Sequence, residues 1–103
     1  MNRRITLVTL ISAALLAACS GPSSEELAQY KAQCVKFHER ERSSPRSTVQ
    51  ALDHWTKNGK VVIELAEFEN SYSSAYTSYL CVIDPGAGSL SLPGVFNQEK
   101  WRK

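Results

Sequence analysis

The chain has 103 residues, 43% of them hydrophobic, with 12 Lys+Arg against 10 Asp+Glu and a formal net charge of +2. That length holds one small core and leaves no room for a second domain of ordinary size. Charge so nearly balanced excludes the dense basic footprint of a nucleic-acid binder, and no nucleic-acid partner is expected.

Taken in chain order, the first feature is a basic pair, Arg3 and Arg4, followed by an apolar run from Ile5 to Leu15 and then by Leu16-Ala17-Ala18-Cys19. The apolar run is too short to cross a bilayer comfortably as a mature helix, so it reads as an export signal. Over about its first 20 residues the chain resembles bacterial lipoproteins, in which a leucine stands three residues before a cysteine with small residues between. The resemblance implies cleavage ahead of Cys19 and lipidation of the Cys19 thiol and amine. It also implies outer-membrane placement facing the periplasm, because Ser20 rather than aspartate follows the cysteine. An ordinary secretory signal, which would leave Cys19 a plain thiol or remove it, and a twin-arginine route are the alternatives. The expected organisation is a signal peptide over 1–18, lipidated Cys19 with a tether through residue 24, and a single globular domain over 25–103. Without Arg3 and Arg4 the mature part carries ten basic against ten acidic residues.

Three cysteines leave an odd thiol in an oxidising compartment. With Cys19 acylated, Cys34 and Cys81 remain, and the periplasm forms and keeps disulfides. A Cys34–Cys81 bond is expected, contributing roughly 4 kcal/mol through loop entropy to a domain whose core alone is marginal.

Beyond the tether, Ser23 with Glu26 three residues on suggests a capping box, and Leu27, Tyr30, Cys34 and Phe37 form a helical stripe. Pro45 follows the helix end. Residues 48–55 and 60–68 read as strands around Asn58-Gly59, a strong hairpin signal. Two registers compete. A two-residue loop pairs Trp55 with Val62 and sets Asp53 against Glu64, an unfavourable like-charge pair. A three-residue loop with a glycine bulge pairs Trp55 with Val61 and puts Ala51, Trp55, Val61, Ile63 and Leu65 on one face; it is preferred. A third strand over 75–83, a Pro-Gly turn, a short fourth strand through Leu90 and Leu92, and a tail with Phe96 and Trp101 complete the chain. The expected fold is α+β, one helix covering one face of an antiparallel sheet of about four strands. A small all-β barrel is the alternative.

Few residues suggest chemistry. Cys34 and His38 have zinc-binding spacing, but no second ligand pair stands nearby. The run His38-Glu39-Arg40-Glu41 reads as a solvated helix end, and Glu64, Glu67 and Glu69 as outward positions or a strand end. Asp53 and His54 are adjacent and so point to opposite faces of a strand. No catalytic, cofactor or metal residues are assigned. Trp55, Tyr72, Tyr76 and Tyr79 form a candidate ligand-binding face for a glycan or protein, although strand aromatics are ordinarily core. The expectation is a small non-catalytic envelope lipoprotein, held to the membrane by its lipid, with a binding or accessory role. An inhibitor or exclusion lipoprotein that blocks an enzyme or receptor is the alternative, ahead of a small hydrolase or metal-binding protein.

Overall fold

The computed structural model describes residues 21–42 and 44–103. The leader, Cys19 and its expected lipidation lie outside the described residues. One helix, α1 (Ser24–Glu41), is followed by four strands, β1 (Thr48–Lys57), β2 (Lys60–Phe68), β3 (Tyr76–Asp84) and β4 (Ser89–Ser91), and two 3-10 turns at Val95–Asn97 and Glu99–Trp101.

Helix α1 begins where local chemistry dictates. The Glu26 N–H donates to Ser23 Oγ at 3.1 Å, and the Ser23 N–H donates to Glu26 Oε1 at 3.3 Å. This reciprocal box satisfies two orphan donors, worth about 1 kcal/mol, and Glu25 and Glu26 sit at the positive end of the helix dipole. Arg42 ends the helix in extended conformation, ψ 150°.

The sheet is an open antiparallel meander in the order β1-β2-β3-β4, so β1 and β4 do not meet and the barrel alternative is overturned. Asn58 (φ 52°) and Gly59 (φ 75°) both lie in the left-handed region, as a two-residue type I′ turn requires. Lys57 therefore pairs with Lys60 and Trp55 with Val62. The preferred three-residue loop is wrong. The irregularity sits instead within β1, between Ala51 and Asp53, where Leu52 is the extra residue of a bulge. The bulge leaves Ala51 on the helix side and sends Trp55 to the other side. The disfavoured Asp53–Glu64 pair is tolerable because each carboxylate has a partner of its own: Lys103 Nζ lies 3.1 Å from Asp53, and the Ser78 hydroxyl donates to Glu64 at 2.7 Å.

Both faces of the sheet are covered, not one. On the helix side Cys34 joins Val61, Ile63, Leu65, Cys81 and Ile83 in the core, with Leu27 and Tyr30 packed against it. Burying Ile63 or Leu65 fully contributes about 1.5–3 kcal/mol each. On the opposite side Val62, Ala66, Leu80 and Val82 are also buried. There the C-terminal segment crosses β1: Trp55 Nε1 donates to the Trp101 carbonyl at 2.8 Å, and Lys57 Nζ to the Arg102 carbonyl at 2.6 Å. Within that tail Phe96 does not join the packing; its side chain is 98% exposed.

Candidate functional site: a buried histidine–glutamate pair beside an acidic groove

The helical stripe that starts at Leu27 reaches Cys34, and Cys34 is bonded to Cys81 with Cα atoms 5.9 Å apart. This tie fixes the middle of α1 over the centre of β3. One turn on, at i+4, the inward position belongs to His38, which is 4% exposed, and not to Phe37, which stands at the rim. His38 Nε2 lies 2.8 Å from Glu67 Oε1, and Glu67 is only 8% exposed. The reading of this helix end as solvated, and of Glu67 as outward, is therefore corrected. Glu67 falls on the helix side because the β2 residues of that parity, Val61, Ile63 and Leu65, all do. Glu64 is half-buried beneath the tail, and only Glu69 is exposed.

The Tyr79 ring closes over the pair, its centroid 4.5 Å from that of His38. His38 Nδ1 is buried without a hydrogen-bond partner. A polar atom desolvated in this way costs about 1–3 kcal/mol, which the contact with Glu67 offsets. Next to the pair opens a cavity of about 530 Å³, lined among others by Phe37, His38, Glu41, Tyr79, Leu92 and Pro93. A second cavity of about 320 Å³ shares Glu67 with the first and continues past Glu69, Tyr76 and Thr77. Together they run along β3.

The electrostatics of this groove are one-sided. Glu41, Glu67 and Glu69 line it, and among the described residues no lysine or arginine does. The last turn of α1 points its carbonyl ends the same way, and the C-terminal end of a helix carries partial negative charge. Lys36 and Arg40 border an adjoining depression that shares Phe37 and Leu90 with the larger cavity, and Arg42 Nη1 lies 3.8 Å from Glu39.

The aromatic face expected from the sequence does not assemble. Tyr79 lies on the helix side, Trp55 lies on the opposite side under the tail, and Tyr76 packs on that opposite side against Phe68 with centroids 5.4 Å apart. Tyr72, 96% exposed, sits in the loop between β2 and β3. Cys34 is not available as a zinc ligand beside His38, since its sulfur is bonded to Cys81. Among the described residues no group of three or more His, Cys, Asp or Glu is placed to hold a metal ion. Asp53 and His54 take opposite sides of β1, joined only by the His54 backbone N–H to Asp53 Oδ1 at 2.7 Å. That bond, together with Lys103, holds the Asp53 carboxyl below the usual carboxylate range. At the β3–β4 turn the Ala87 N–H, aided by Lys60, does the same for Asp84.

Sequence reasoning missed the His38–Glu67 pair. Its one signal was the spacing of four between Cys34 and His38. No helix among the described residues is long and apolar enough to cross a membrane. No protein-family model, curated protein or solved structure matches the chain.

Proposed function

We propose that the chain is a small, non-catalytic envelope lipoprotein. In this reading Cys19 carries lipid and the folded part acts as a binding module at the periplasmic face of the outer membrane. The observation that supports it is the buried Cys34–Cys81 bond. It accounts for two of three cysteines, is chemistry of an oxidising compartment, and leaves over only the cysteine of the Leu-Ala-Ala-Cys run. The groove along β3 is a concave feature built beside the His38–Glu67 pair. Its larger cavity falls within the range of ligand pockets, with apolar walls and a few polar groups. The imidazole nitrogen that is engaged there contacts a carboxylate, and among the described residues no serine hydroxyl or thiol is bonded to His38.

Intact-mass measurement on protein purified from native membranes tests the anchor. The expected mature species begins at Cys19 and carries acyl chains; an unmodified residue 19 or a retained leader refutes the reading. Membrane fractionation of wild type against Ser20→Asp tests the sorting, with a shift toward the inner membrane expected.

A further inference from the structure

The turn and register determine which backbone groups of β3 are left open. In a type I′ hairpin the residues flanking the loop form a hydrogen-bonded pair, so Lys60, Val62, Glu64 and Ala66 of β2 bond toward β1. The alternate residues bond toward β3, where they meet Ile83, Cys81, Tyr79 and Thr77. The intervening β3 residues aim their N–H and C=O groups at the outer edge. Asp84 and Val82 meet Ser89 and Ser91 of β4 there. The ladder then ends. Pro93, which has no N–H, would fall opposite Leu80 if the pairing continued. Tyr76 and Ser78 consequently present an edge with no strand beside it among the described residues.

This open edge coincides with the acidic groove. The two cavities follow β3 from Tyr79 to Tyr76 and are lined by Glu41 and Glu69 beside the His38–Glu67 pair, with no lysine or arginine lining them among the described residues; Arg102 reaches Ser78 Oγ, at 3.5 Å, from the opposite side of the sheet. Glu41 and Glu69 are exposed. His38, nine-tenths buried at the cavity wall, retains an unpartnered Nδ1. Aromatic walls from Phe37 and Tyr79 suit a cation with an apolar stem. Edge, charge and walls call for the same occupant.

We infer that the groove takes an extended segment of a partner polypeptide, adding it as a short strand beside Tyr76 and Ser78 and seating one of its lysine or arginine side chains against the exposed carboxylates of the groove, Glu41 and Glu69. Main-chain bonds to the edge supply affinity, and the acidic groove supplies specificity. A second copy of this chain is a poorer fit, because its own β3 edge would bring the same carboxylates face to face. The inference rests on the binding-module reading and names what that module recognises.

The test uses the full-length protein purified from membranes in detergent. Its probes are short fluorescein-labelled peptides of alternating valine and threonine with one central lysine, read by anisotropy. Matched peptides carry glutamate or norleucine instead, and a third carries N-methyl groups on the amides of its bonding edge. The lysine peptide is expected to bind about tenfold or more tightly than the glutamate and norleucine peptides, and to weaken with salt. The Glu41→Gln/Glu69→Gln variant, altered only at exposed positions, is expected to lose about tenfold, while Glu25→Gln at the far end of α1 keeps wild-type binding. The N-methylated peptide is expected not to bind. Absence of binding by the lysine peptide, equal binding of lysine and glutamate peptides, an unaffected double variant, or undiminished binding after N-methylation each overturns the inference. Intact mass of the same preparation reports Cys19 independently, so failed capture by a lipidated chain refutes the groove and leaves the anchor standing.

Discussion

The Cys34–Cys81 bond closes a loop with a sequence separation of 47. Loop-closure entropy for that length gives about 4 kcal/mol. A folded part of this size has a stability on the order of 4–12 kcal/mol, so the bond supplies a third of it or more. Both cysteines are fully buried, and truncating them to alanine also removes packing in the core. Cys34→Ala/Cys81→Ala is therefore expected to lower the urea-unfolding free energy by about 4 kcal/mol or more and to raise the slope of unfolding, since the unfolded chain expands when the loop is released. Wild type refolded in the presence of reductant should follow the double variant closely, because it loses the same constraint. Cys81→Ser alone should expose Cys34 to alkylation in urea, whereas oxidised wild type should not label. A free-energy difference under about 1 kcal/mol between oxidised and reduced wild type would refute the reasoning. It would mean that helix and sheet hold their alignment without the bond.

Three further outcomes follow from named contacts. His38→Leu is expected to cost about 3–5 kcal/mol by stripping a buried carboxylate of its imidazole, and His38→Leu/Glu67→Leu to recover most of that loss; equal urea midpoints for the single and double variants would contradict it. Gly59→Ala places a Cβ in open space but at φ 75°, so its cost is conformational, about 1–2 kcal/mol by thermal unfolding. Asp53 and Asp84 are held below their ordinary range when folded, so between the folded and unfolded pKa the unfolded chain binds more protons and stability rises with pH. Their contribution is present above about pH 4 and is lost as pH falls through the folded values; Asp53→Asn/Asp84→Asn should flatten that part of a stability-against-pH curve.

What was legible in the sequence is what short-range chemistry decides. The Ser23–Glu26 box, the Leu27-Tyr30-Cys34 stripe, the Asn58-Gly59 turn and the pairing of Cys34 with Cys81 each depend on few residues or on simple counting. The fourth position of the stripe was misassigned. Phe37 is the more hydrophobic residue, but the crossing of α1 over the sheet turns the i+4 position inward, and a histidine can occupy it only because Glu67, separated by 29 residues, arrives opposite. That coincidence has no local signature. The bulge at Leu52 has none either. Its effect, the transfer of Trp55 to the other face, follows from contacts with a tail almost fifty residues away. The candidate aromatic face came apart on two counts: the one-residue slip in β1 separates Trp55 from Tyr79, and Tyr76, three residues before Tyr79, takes the opposite side of β3.

Two ties fix the direction of α1: Cys34 to Cys81 at the sheet centre, and His38 to Glu67 one turn later toward the Phe68 end of β2. Followed backwards, the helix leads to the end of the sheet that carries the Asn58–Gly59 turn. Its 18 residues span about 27 Å. Four residues separate Cys19 from the first helical residue, a reach of at most about 17 Å. If Cys19 carries lipid, the bilayer therefore lies near the hairpin end, and the groove, built at the opposite end of α1, opens away from it. A tether this short would leave a membrane-facing groove little clearance for a polypeptide. With Cys19 lipidated, a groove turned outward is accessible to one, and the two ties that complete the core are what turn it.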